Sequence, residues 1–270
     1  MLRDRVISAA VVIAILVPIL VFGGVIGVAL LVTVFSAVAA RELSRRLSAL
    51  NTSPGKELVL ALSVGVAAAF YFLPVPAVPA AVVWLPLLVL LLHLFLYNSI
   101  EQTTESSSQM IFVTTYVAIP LGHAILLRRL DMGTAWVFFV LVVVCLGDAS
   151  AYFTGKYCGK HHFSKRVSPG KTVEGLFGGV AGCLVGMLVM NAAAPGLAPL
   201  ATVFQAALLL AIVGPLGDLI ASALKRRLGV KDFGSIMPGH GGVLDRADAL
   251  ITGFPAVYYY LVLTGSAVPS

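Results

Sequence analysis

The chain has 270 residues, 59% of them hydrophobic and only 11% charged, with a formal net charge of +6. A soluble domain of this size carries roughly a quarter charged residues, so a water-facing globular fold is excluded. The composition instead predicts an all-α, polytopic integral membrane protein. Its cation excess fits basic loops on the cytoplasmic side of a membrane, and it equally fits a site that handles phosphates. Cys145, Cys158 and Cys183 have no C-x-x-C spacing, which argues against a disulfide framework or a zinc site.

A membrane-crossing helix needs about 20 mostly apolar residues, and such runs fill nearly the whole chain, giving about nine transmembrane helices. The basic start, Arg3 and Arg5, followed by an apolar run resembles a signal peptide. The run continues to Ala40 without a cleavage site, so it reads as a retained hairpin, Val6–Phe22 and Val25–Ala40 joined at Gly23-Gly24. Arg41, Arg45 and Arg46 then mark a cytoplasmic loop. Leu58–Leu73 and Val78–Tyr97 are the third and fourth expected spans, and the polar stretch Asn98–Gln109 reads as a short soluble loop. Met110–Leu127 and Ala135–Phe153 follow, then a basic loop, Thr154–Thr172. Val173–Ala193, Leu200–Leu224 and Ala247–Gly265 complete the set. The distribution of Lys and Arg puts the N-terminus and the basic loops in the cytoplasm and leaves Arg128 and Arg129 on the opposite side. Residues 1–134 form an N-terminal region of about five spans, and residues 135–270 a C-terminal region holding the polar segments.

The densest of these runs from Asp218 to Asp248 and contains Asp218, Asp232, Asp245 and Asp248. On a helix Asp218, Ser222 and Lys225 share a face, as do Asp245 and Asp248. Between them Pro238-Gly239-His240-Gly241-Gly242 offers backbone N–H groups that can approach a phosphate closely, because glycine has no Cβ in the way. Carboxylates clustered in this way are costly without a cation, and hard oxygens favour Mg²⁺; a salt bridge to a neighbouring Lys or Arg is the plainer account of Asp218. His240 suits a phosphate donor, a general acid or a structural loop residue. A second polar segment carries Asp148 inside an apolar run and the turn Ser168-Pro169-Gly170-Lys171-Thr172. That turn lacks P-loop spacing. An intramembrane carboxylate is either paired across helices or functional.

The run Ser222, Lys225-Arg226, Lys231-Asp232, Pro238 to Gly242 and Asp245-Arg246-Ala247-Asp248 resembles the signature of the CDP-diacylglycerol synthases, or phosphatidate cytidylyltransferases. Ser168-Pro169-Gly170-Lys171-Thr172-Val173-Glu174-Gly175 is similar to a second segment of that family. The resemblance covers the chain from Asp148 onward. It implies transfer of CMP from CTP to phosphatidate at the inner, cytoplasmic face of the cell membrane, with release of pyrophosphate. Asp218, Asp245 and Asp248 would be metal ligands. Asp218, Ser222, Lys225, Arg226, Asp245, Arg246 and Asp248 would form the catalytic set. Asp148, Ser168, Lys171, Thr172, Glu174, Lys231, Asp232, His240, Gly241 and Gly242 would bind the phosphates of CTP and phosphatidate. The implied cofactor is Mg²⁺, with a second cation such as K⁺ left open. The implied partners are the lipid bilayer and a second copy of the chain, with residues 1–134 as scaffold, dimer contact and lipid access; no nucleic acid is expected.

Three other readings compete. A CTP-dependent kinase of a polyprenol- or phytol-type alcohol would move the γ-phosphoryl group and would need a base. A CDP-alcohol phosphotransferase would show D-G-x-x-A-R followed by spaced aspartates, and the chain contains none. A transporter would show interrupted helices in two related halves, whereas the polar residues here gather in the C-terminal half.

Overall fold

Long apolar runs, bounded by glycine, proline or a capping hydroxyl, fold as helices. The computed structural model describes residues 13–48, 56–96, 99–164, 166–236 and 241–266. In chain order the helices are α1 (Ile13–Phe22), α2 (Gly24–Ser48), α3 (Lys56–Phe72), α4 (Val78–Leu96), α5 (Ile100–Val113), α6 (Ile119–Arg128), α7 (Gly133–Cys158), α8 (Val173–Ala193), α9 (Leu200–Arg227) and α10 (Leu244–Leu263). A 3₁₀ turn at Val75–Ala77 leads into α4, and a π turn at Thr114–Ala118 joins α5 to α6, so the two make one rod. An isolated β bridge pairs His162 with Thr172. Eight of the nine expected spans, from Val25–Ala40 onward, fall on these rods, and of the first, Val6–Phe22, residues 6–12 lie outside the described residues while the rest is α1. Six are long and apolar enough to cross a membrane, Ile13–Phe22 and Leu58–Phe72 are shorter apolar helices, and α10 carries Asp245, Arg246 and Asp248 in its first turns.

The stretch expected to be the loop Asn98–Gln109 is mostly helix α5. Ser99 caps it by accepting the Gln102 N–H, and Glu101 lies in the first turn, where the helix dipole favours an acid. Thr103, Thr104 and Ser108 return their hydroxyls to carbonyls one turn back, so these polar side chains are satisfied within the helix. Thr103, Ser106 and Ser107 are buried, and Ser107 Oγ is 2.8 Å from His93 Nδ1 of α4. Helix α9 likewise runs unbroken through Gly214 and Pro215, and stops at Gly229, whose φ of +67° suits a residue without Cβ.

The described residues divide into two compact units. The first comprises those up to Leu126 together with Asp232–Arg246; the second comprises Leu127–Lys231 and the chain from Ala247 onward. In the first, α2 packs on α3 and on the π turn, and α4 packs on α5. Phe70 meets the His123 ring edge-on at 5.2 Å.

The second unit is built on an antiparallel hairpin of α7 and α8, its most extensive helix pairing. Gly175, Gly179, Gly182 and Gly186 form a stripe on α8 that lets the backbones approach. A Cβ at Gly182 would run into the Leu146 carbonyl and the Ser150 side chain, and one at Gly186 into the Val143 backbone. Gly182→Ala is expected to cost about 1–3 kcal/mol, read as a lower melting temperature in detergent. Gly65→Ala, at a helical position with nothing within 4 Å of the added Cβ, should melt no lower than the parent. On the other side α9 lies close to α10: Thr252 Oγ1 donates to the Val213 carbonyl at 2.8 Å, and Gly217 leaves room for the Asp248 carbonyl.

Candidate functional site

In the second unit, the loop between α7 and α8 is tied down before it reaches α9. Thr172 caps α8 by accepting the Gly175 N–H at 3.1 Å, and its side chain is buried. Glu174, in the first turn of α8, accepts the N–H groups of Lys160 and His161 at 3.1 and 3.2 Å and meets His161 Nδ1 at 2.6 Å. The Val173 N–H donates to the His161 carbonyl. Ser168 and Lys171 close a tight turn through Lys171 N–H to Ser168 O. These bonds aim Lys171 at α9. Its Nζ is 2.8 Å from Asp218 Oδ2 and donates to the Pro215 carbonyl at 3.0 Å. Ser222, one turn beyond Asp218, reaches Asp218 Oδ1 at 3.5 Å.

Asp148 lines a small cleft with Gly147, Ala151, Gly214 and Pro215. Asp248, on α10, lies within electrostatic reach of Asp218, Lys225 and Asp148. This unit therefore brings together Asp148, Lys171, Asp218, Lys225 and Asp248, five of the groups expected from the sequence. Others are engaged elsewhere: Arg226 Nε donates to the Val167 carbonyl at 3.2 Å, Glu174 faces the loop it secures, and Lys231 is exposed.

In the first unit, the buried Asp245 opens α10. Its Oδ2 accepts the Phe233 N–H at 2.8 Å and the Gly242 N–H at 3.0 Å, which folds the segment after Asp232 against the turn before α10. Gly241 has φ +80°, and a Cβ there would sit 3.2–3.3 Å from carboxylate oxygens of Asp232 and Asp245. Arg246 is exposed. His240 lies outside the described residues.

Two further residues join this cluster that the sequence reading took only as part of a basic loop. Glu42 Oε1 and Oε2 accept the N–H groups of Val243 and Leu244 at 3.1 and 3.0 Å. Arg46, one turn further along α2, donates from Nε to the Phe233 carbonyl at 2.8 Å. The available signal was a lone acid among Arg41, Arg45 and Arg46 at the end of an apolar run.

Among the described residues, no group of three or more His, Cys, Asp or Glu side chains is placed to hold a metal ion. The donor type still fits Mg²⁺, which prefers hard oxygens, keeps several waters and takes one or two carboxylates together with substrate phosphates rather than an all-protein cage.

An all-helical, multi-pass membrane protein with carboxylates and cations gathered on its polar segments belongs to the class that works on charged substrates at a membrane. A sequence model described as the Cytidylyltransferase family matches residues 3–264, and the chain belongs to that family of nucleotidyltransferases. It is similar to the phosphatidate cytidylyltransferase of Staphylococcus epidermidis, with 30% identity over 267 residues covering 97% of this chain and 100% of that one. The Staphylococcus aureus protein of the same name is 30% identical over 265 residues, 97% and 99% of the two chains. That of Bacillus subtilis is 38% identical over 176 residues, 64% of this chain and 65% of the relative's length.

Proposed function

We propose that this protein is a CTP:phosphatidate cytidylyltransferase of the cytoplasmic membrane. The observation that supports this most is the near end-to-end similarity to relatives bearing that name, in a chain whose cations and carboxylates sit on the two segments that resemble the family's motifs. The substrates account for the layout. Phosphatidate is confined to a leaflet and CTP is a soluble polyanion, so they meet where polar loops leave the bilayer. Cytoplasmic orientation follows from the Lys and Arg distribution.

In this reading an oxygen of the lipid phosphate attacks the α-phosphorus of CTP in line. A new P–O–P bond forms, the bond from the α-phosphorus to the bridging oxygen breaks, and pyrophosphate leaves with that electron pair. A phosphate monoester is already anionic near neutral pH, so the nucleophile needs no strong base. Lys171, Lys225, Arg226 and Lys231 bind phosphoryl oxygens and offset the charge that spreads over them in the transition state. The glycine turn at Gly241-Gly242 lets backbone come close to a phosphate. Asp218, Asp245 and Asp248 would hold Mg²⁺, which when bound supplies charge neutralisation for the triphosphate and its leaving group.

The test is product identification. Purified protein with phosphatidate, CTP and Mg²⁺ is expected to yield a lipid heavier by one CMP unit, with equimolar pyrophosphate and loss of both in EDTA. No CMP-bearing lipid at any CTP concentration would overturn the reading.

A further inference from the structure

We infer that Glu42 of α2 is a positioning residue for Asp245, holding in place a carboxylate proposed to bind the cation. The inference rests on the proposed cytidylyltransferase reading for its kinetic consequence, though not for its structural one. The side chain of Glu42 is buried, with the residue only 4% exposed. Its two oxygens accept the Val243 and Leu244 N–H groups, which belong to the donors a helix leaves without intrahelical partners at its N-terminus. A carboxylate there is favoured by the helix dipole as well as by the two hydrogen bonds.

The fit around this carboxylate is close. A Cβ at Gly234 or at Gly242 would run into Glu42, so both strands of the loop lie against it without side chains of their own. Arg46 holds the Phe233 carbonyl, while the N–H of the same residue goes to Asp245. Glu42 and Arg46 thus grip the segments on either side of Asp245, one at residues 242–244 and the other at Phe233. With glutamine at 42 one oxygen still accepts, but the amide NH₂ faces the second buried N–H, which loses its acceptor; this loosens the start of α10 and with it the orientation of the Asp245 carboxylate. Partners that orient a metal ligand in this way typically change metal affinity or activity by 10–100-fold.

The test is Glu42→Gln in the full-length protein, which preserves shape and removes charge. Without nucleotide or metal, hydrogen exchange is expected to speed up by about tenfold at Phe233 and over 242–246, the effect of losing one buried hydrogen bond to a charged group, with α7 and α8 unchanged. With substrates, the Mg²⁺ concentration for half-maximal CMP transfer should rise by about 10–100-fold, while the rate at saturating Mg²⁺ falls much less. Unchanged exchange at 242–246 in folded Glu42→Gln overturns the inference. So does exchange that rises equally throughout, which would make Glu42 a general stability residue. If Glu42→Gln does not accumulate, Arg46→Met takes its place, with faster exchange expected at Phe233 and its neighbours and unchanged exchange there counting against the inference. A parent protein that transfers no CMP defeats the functional reading alone, because the exchange measurement needs neither nucleotide nor cation.

Discussion

Asp245→Asn is expected to lower CMP transfer by about 10²–10³-fold, the size of effect seen when one preorganised electrostatic group is removed from a transition state, while leaving the fold nearly intact. Asp245 is 7% exposed, and its Oδ2 accepts both the Phe233 and the Gly242 N–H. The asparagine amide still offers one oxygen to those two donors, so both of these hydrogen bonds can be kept while the negative charge is lost. Asp245→Ala removes both, and each buried N–H left without an acceptor costs about 1–3 kcal/mol. The pair therefore separates two roles: asparagine should melt close to the parent and be inactive, whereas alanine should be inactive and also melt earlier. Asp245→Asn with the parental rate would remove the charge of Asp245 from the mechanism.

Lys171→Met is expected to reduce transfer by about 10²-fold with little change in melting temperature. The ion pair of Lys171 and Asp218 is short at 2.8 Å, but its side chains are 18% and 37% exposed, and solvent-accessible pairs contribute about 0–1 kcal/mol. What methionine cannot replace is a cation beside the carboxylate, held by the Pro215 carbonyl and the turn from Ser168. Lys171→Arg should recover only part of the activity, because a planar guanidinium does not fit a contact made by a point charge. The measurement is the rate per folded protein at saturating CTP, alongside a melting curve. A large loss of stability with an unchanged rate would make Lys171 a structural residue.

The rods were legible in the sequence because long apolar runs leave no other way to satisfy backbone groups in a membrane, and because Gly23-Gly24 breaks the first of them. Asn98–Gln109 was not legible: its serines and threonines look like a solvated loop until they are seen bonding to their own helix and facing His93. Asp148, Lys171, Asp218, Lys225 and Asp248 stood out in the sequence as charged residues among apolar runs, but their pairing did not. No spacing rule joins Lys171 to Asp218, or turns Glu174 away toward His161. Glu42 was hidden for a different reason. Its hydrogen-bond partners lie 201 and 202 residues away, and the arginines around it are already explained by the positive-inside bias, so nothing local distinguishes an acid that holds a distant loop from one in solvent.

The most direct test of the central claim is to follow the label from CTP carrying α-³²P in one reaction and γ-³²P in a parallel one, with phosphatidate, Mg²⁺ and the purified protein. The expected result is α-label in the lipid fraction, γ-label only in pyrophosphate, and loss of both signals in Asp245→Asn. Transfer of γ-label to a lipid alcohol, with no α-label in any lipid, would contradict it and identify a kinase instead.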